Sequence, residues 1–248
     1  MKTITKCLLS AVFIMAACGK SNDGNLPDKT TTPEGVTQKT ETTNGITYRV
    51  FIPTEGTPLK GILVMGSGND ESNPTPGGLD GAQETDLCNK AAENGYLAAI
   101  VQYRKTAGNA DWNTSAMQIG LDYDKCITAL SEKYGVDKSR SVVGGISYAS
   151  FMLLTDVAIN NTLSYCKGVL APCGAAGEWQ AQHFKIPVYN IVCSGNNEGD
   201  LSGKPMYDAI TDPAIKAKSE GVTDNSCNTH CGGSWTDKLY TRMVAWLQ

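Results

Sequence analysis

The sequence predicts an α/β protein: a doubly wound, mostly parallel sheet entered through an N-terminal antiparallel hairpin and carrying no cap domain. Three observations lead there. Asn44-Gly45, a strong hairpin dipeptide, separates two segments of strand-like composition, Val36 to Thr43 and Ile46 to Pro53. Beyond it, short continuously apolar runs alternate with longer segments of helical period, the pattern of strands covered by helices on both faces. From Val36 to Gln248 no internal repeat interrupts the chain, and this length suits one domain with a large core.

The elements follow in order. Gly61 to Gly66 reads as a strand, Ala82 to Asn94 as a helix stopped by Gly95, and Tyr96 to Tyr103 as a strand. A helix runs from about Ala116 to Tyr134; Ser115 and Gln118 spell a capping box before it, and Ile119, Tyr123, Cys126, Ile127, Leu130 and Tyr134 share one face. Strand Ser141 to Gly145 leads to a helix, Ala149 to Asn160, that is apolar on every side and hence buried. Strands Lys167 to Cys173 and Pro187 to Cys193 follow. The last helix is expected to start at a Ser234/Asp237 capping box and to turn Leu239, Met243, Trp246 and Leu247 inward. Gly221 to His230, GVTDNSCNTH, is polar and reads as loop, so an eighth strand there should be short or absent. In sheets of this kind ligands bind beyond the carboxyl ends of the strands.

Of the 248 residues 41% are hydrophobic and 19% charged, with 21 Lys+Arg against 25 Asp+Glu. That balance excludes fibrous, disordered and polytopic membrane classes. The formal net charge is -4 and no basic run stands out, which argues against a nucleic-acid partner. Residues 1–17 read as a signal peptide: two lysines, then an apolar stretch from Cys7 too short to span a bilayer. Met15-Ala16-Ala17-Cys18 resembles the lipobox of bacterial lipoproteins, which implies a mature N-terminus at lipid-modified Cys18 and a place in the cell envelope, anchored to a membrane. Residues 18–35, with one leucine and no aromatic, form a flexible tether of roughly 20–25 Å root-mean-square span. Residues 36–248 are the folded domain.

Seven cysteines remain after Cys7 and Cys18: Cys88, Cys126, Cys166, Cys173, Cys193, Cys227 and Cys231. In an oxidising compartment some of them pair, and an odd number leaves at least one thiol over. The connectivity stays open. A zinc site on Cys227, His230 and Cys231 is the rival reading, but no second close ligand pair accompanies it, and no metal is assigned.

Gly144-Gly145-Ile146-Ser147-Tyr148-Ala149 stands at the junction of a strand and a buried helix. A serine on such a sharp turn projects from the tip of the sheet, and its neighbours two before and two after must be small. Asp137-Lys138-Ser139-Arg140 leads into that strand, and the whole D-x-x-R-x-x-x-x-G-x-S run resembles the α/β-hydrolase superfamily, particularly esterases of the dienelactone-hydrolase and polyhydroxybutyrate-depolymerase kind, from about Ile46 to Gln248. The resemblance implies an α/β-hydrolase fold with Ser147 as nucleophile, activated by an imidazole. The superfamily's order of serine, acid, histidine is met by His230 and not by His183, which reads as a loop histidine. The acid is expected just past Cys193, where Gly195-Asn196-Asn197-Glu198 matches the spacing of the family's G-x-x-D; Glu198 ranks ahead of Asp200. Two backbone N–H donors should form an oxyanion hole: that of Tyr148, and one from the loop after Gly66, where Ser67 is preferred to Gly68 in place of the family's His-Gly pair.

A triad needs no cofactor. The short connection between the Lys167 and Pro187 strands leaves the site open, which suits esters carried on large molecules such as acylated or feruloylated polysaccharides. Trp112, Trp179, Trp235 and Tyr148 are candidates to line it. The alternatives are a peptidase or polyester depolymerase on the same triad, and a non-catalytic surface lipoprotein.

Overall fold

A computed structural model describes residues 33–69, 77–104, 112–195 and 201–248. The leader, Cys18, the tether as far as residue 32, and both acid candidates, Glu198 and Asp200, lie outside these residues.

Strands β1 (Thr37–Thr43) and β2 (Ile46–Ile52) form the expected hairpin, with Asn44 and Gly45 both at positive φ as a two-residue turn of this type requires. After them come β3 (Ile62–Gly66), α1 (Ala82–Glu93), β4 (Leu97–Val101), α2 (Trp112–Tyr134), β5 (Ser141–Gly145) and α3 (Tyr148–Ile159). The chain ends with β6 (Val169–Pro172), α4 (Glu178–Gln182), β7 (Val188–Cys193), α5 (Lys204–Ala209), α6 (Pro213–Lys216), β8 (Glu220–Asp224) and α7 (Thr236–Leu247). One eight-stranded sheet has the order β1-β2-β4-β3-β5-β6-β7-β8. Only the pairs β1·β2 and β2·β4 are antiparallel; from β4 to β8 every pairing is parallel.

Strands β3, β4 and β5 are buried along their whole length because helices cover both faces. Successive residues of β3 show the division: Ile62 and Val64 pack with α2 and α3, Leu63 and Met65 with α1 and α7. As its all-round apolar sequence required, α3 is buried almost throughout.

Three boundaries differ from expectation. Ser115 is not a cap: α2 already begins at Trp112, Ser115 is buried in its first turn, and Gln118 donates instead to Asp122 one turn on. The last helix is capped at Trp235 without a side-chain bond, and Asp237 pairs with Lys90 of α1. The eighth strand, expected to be short or absent, is present and five residues long. Residues 220–224 pair in register with β7, from Tyr189↔Glu220 to Cys193↔Asp224. Their polarity misled because β8 is an edge strand with only partial burial, where nothing demands an apolar run.

Candidate active site

The junction between β5 and α3 is dictated by close packing. A Cβ on Gly144 would stand 2.7 Å from Met65 Sδ, and one on Gly145 would stand 2.6 Å from the Ala149 Cβ. Only glycine at 145 and a residue as small as alanine at 149 let strand and helix approach this closely. Ser147, between them, is held at φ 52°, a left-handed conformation that costs a side-chain-bearing residue about 1–3 kcal/mol. The Ile146 N–H bonds the Gly66 carbonyl, and the Ser150 hydroxyl donates to the Gly145 and Pro172 carbonyls, so the turn is tied to β3 and β6. The Asp137–Arg140 run shapes the entrance to β5: Arg140 donates to the Lys60 carbonyl, and its own carbonyl accepts from Ile62.

His230 reaches the same spot from an exposed loop between β8 and α7. Its Nε2 lies 2.7 Å from Ser147 Oγ. That loop has little apolar surface and is held otherwise. Cys173, just past β6, is bridged to Cys231, and Cys193, the last residue of β7, is bridged to Cys227. The two bonds pin the segment on either side of the imidazole to the carboxyl ends of neighbouring strands. Gln83 of α1 adds a hydrogen bond to the Cys231 carbonyl. Asp224, which the sequence reading passed over, secures the loop's base: its carboxylate accepts from the Ser226 N–H and hydroxyl, the Trp235 indole and the Lys238 ammonium. The Lys238 bond, then those from Ser226 and Trp235, hold this carboxyl well below the ordinary aspartate range. The bridges occupy the Cys227 and Cys231 sulfurs separately, so the zinc set of Cys227, His230 and Cys231 is not assembled in this bridged form. Cys88, Cys126 and Cys166 are free and buried.

Gly68 lies against Ser147, a Cβ on it coming within 3.3 Å of the Ser147 Cβ. Tyr103, fully buried, donates to the Ser67 carbonyl at 2.7 Å and stacks on the ring of Tyr148 at 6.3 Å, linking the residues expected to supply the two oxyanion donors. Tyr123 donates to the Gly144 carbonyl beneath the same turn. Glu84 of α1 is buried, and burial raises its carboxyl pKa. These tyrosines and Glu84 read in sequence as ordinary helix and strand residues; no local pattern marks them.

The aromatic candidates separate. Trp112 is 38% exposed, donates to Thr155 and stands edge-on to Tyr148 and Phe151. Trp179 is 55% exposed and stacks on His183, whose ring bonds the Trp179 carbonyl; His183 is thus the loop histidine expected. Trp235 is 2% exposed and belongs to the core and to Asp224, so it does not line the site. The β6–β7 connection holds only the five-residue α4. Among the described residues no helix is long and apolar enough to cross a membrane.

No protein-family model matches the chain, and no curated protein matches it in sequence. Solved structures do match. A protein of Klebsiella pneumoniae assigned as a dienelactone hydrolase superimposes with a TM-score of 0.59 at 16% identity, covering 86% of this chain and 97% of that one. Brefeldin A esterase, a bacterial homologue of human hormone-sensitive lipase, gives 0.59 at 15% identity over 91% and 76% of the two chains. Dipeptidyl peptidase 4 of Porphyromonas gingivalis gives 0.57 at 15% identity, over 86% of this chain and 35% of its own. The fold is that of the α/β-hydrolases.

Proposed function

Proceeding from an α/β-hydrolase fold, we propose that this chain is an exported serine esterase. Ser147 Oγ attacks the ester carbonyl while His230 Nε2 takes its proton. The N–H group of Tyr148 and that of Ser67, with Gly68 as the alternative, hold the negative oxygen of the tetrahedral intermediate. The protonated imidazole then gives its proton to the departing alcohol, which leaves an acyl-enzyme, and water activated by His230 releases the acid. Glu198, with Asp200 as the alternative, is the acid proposed to orient the imidazole.

One observation carries the reading: a serine in left-handed backbone at a strand–helix turn, with its hydroxyl 2.7 Å from an imidazole 83 residues away in sequence. Local structure alone does not bring such groups together. Trp112, edge-on to Tyr148 beside the nucleophile and partly exposed, supports substrates with a flat apolar face, such as acylated or feruloylated sugars. Two bridges in the folded domain support export to an oxidising compartment, with the lipid on Cys18 as anchor.

The test is a fluorophosphonate probe with peptide mapping, alongside hydrolysis of short p-nitrophenyl esters and aminoacyl anilides. The expected result is a Ser147 adduct that His230→Ala abolishes, with esters cleaved and anilides not. Cleavage of anilides alone makes the chain a peptidase; an unlabelled Ser147 with neither substrate turned over makes it a binding protein.

A further inference from the structure

The bridge between Cys173 and Cys231 joins the residue after His230 to the end of β6, and His230 itself stands beside it. The donor atoms of Cys173, His230 and Cys231 all lie within 4.8 Å of one another. Two thiolates and an imidazole are a zinc donor set, and a tetrahedral ion with ligands at roughly 2.0–2.3 Å separates its donors by roughly 3.3–3.8 Å. Opening the bridge and a small rotation of each side chain meets that spacing. Sequence places His230 beside Cys231 but does not point to Cys173, which is 58 residues from Cys231.

We propose that the reduced form of this site binds Zn²⁺ through Cys173, His230 and Cys231, and that the ion switches hydrolysis off by taking the imidazole from Ser147. This use of His230 rests on the esterase reading; the binding itself does not. The chemistry balances with a dithiol as reductant. Its two thiols are oxidised to a disulfide, and the Cys173–Cys231 bond accepts two electrons and two protons to become two thiols. Zinc then displaces both thiol protons to solvent and takes a lone pair from the neutral imidazole. Three protein ligands leave a fourth position for water or the Ser147 hydroxyl. Whichever ring nitrogen coordinates, one side of the relay is lost: Nε2 is the atom that meets Ser147, and Nδ1 is the one a triad acid holds. Cys88, Cys126 and Cys166 are poor competitors, since they are buried and burial pushes each thiol pKa up; Cys193 and Cys227, which the same dithiol frees, are the competitors that the Cys193→Ser/Cys227→Ser variant removes.

Cobalt(II) is the probe, because thiolate coordination gives it a charge-transfer band. The protein, reduced by a dithiol that is then removed, is titrated anaerobically with Co²⁺ and then with Zn²⁺, while circular dichroism follows the fold. The expected result is a saturable band that Zn²⁺ displaces, absent from oxidised protein, retained in Cys193→Ser/Cys227→Ser, lost in Cys173→Ser/Cys231→Ser and weakened in His230→Ala. In parallel, ester hydrolysis by reduced protein should fall with Zn²⁺ and return with a chelator. A band that survives in Cys173→Ser/Cys231→Ser overturns the site, as does its absence from reduced protein, folded or not. A band with hydrolysis unaffected overturns the switch. If neither oxidised nor reduced protein cleaves esters, the esterase reading has failed while the cobalt titration still decides the site.

Discussion

The two halves of the candidate dyad are held by different physics. Ser147 sits on a turn that the core imposes: buried strands on both sides, glycines packed against backbone and side chains, and a helix with no polar face. His230 sits on a largely exposed loop that enters the core at Trp235 and is otherwise held by two disulfides and by the Lys238 ion pair and hydrogen bonds of Asp224. Packing supplies the first position and covalent bonds the second. Left-handed backbone occurs in both regions, at Ser147 in one and at Cys173 and Cys231 in the other, and each is held by the surroundings that local type predicts: close packing at the serine, a cross-link at the cysteines.

This contrast can be broken or sharpened by experiment, beginning with the largest effect. Ser147→Ala should reduce ester turnover by about four to six orders of magnitude with the fold unchanged by circular dichroism; a variant that retains turnover removes the serine half entirely. Next comes loss of the bridges. They close loops of 58 and 34 residues, and loop-entropy arithmetic gives each about 4 kcal/mol, so reduction should lower the melting temperature markedly and turnover with it. Reduced protein with the stability and turnover of oxidised protein would show that the loop needs no cross-link. Gly145→Ala places a methyl against Ala149 and should cost about 1–3 kcal/mol by denaturant titration, with turnover falling because Ser147 moves. A neutral result there would mean the turn is not set by packing.

The smallest predicted effect concerns a buried carboxyl on the serine side. Asp156 of α3 is fully buried, bonds Asn160 through one oxygen, and has no donor to the other among the described residues; burial raises its pKa to about 6. Because the folded form holds its proton more tightly than the unfolded chain, stability falls as pH rises from about 4 through about 6 and stays reduced above. Asp156→Asn should therefore gain about 1–3 kcal/mol at pH 7 and nothing below pH 4, by urea titration at both. Asp224, on the histidine side, has the opposite sign: its carboxyl is held low by Lys238, Ser226 and Trp235, so its support for the loop is present at neutral pH and fades in acid.

Legibility in the sequence follows the same division. The hairpin, the buried strands and the G-x-S-x-A turn are local patterns, and each was readable because its cause is local: a dipeptide that tolerates positive φ, a run of apolar residues, small residues flanking a serine. The capping boxes at Ser115 and Ser234 were wrong for a related reason, since a cap motif states a preference that tertiary contacts override, as Lys90 does in taking Asp237. Strand β8 was hidden because an edge strand need not be apolar. Tyr103, Tyr123, Glu84 and Asp224 carry no local signature at all, since each acts on a residue far off in the chain.

By itself the sequence determined the layer architecture, the strand–helix turn at Ser147 and the order in which serine and histidine occur, because periodicity and turn chemistry are properties of neighbouring residues. Only the folded chain decided that Cys173 pairs with Cys231 and Cys193 with Cys227, that Tyr103 ties Ser67 to Tyr148, and that His230 meets Ser147. Those contacts depend on which strands lie side by side, and adjacency in a sheet is set by the packing of the whole core rather than by any segment of it.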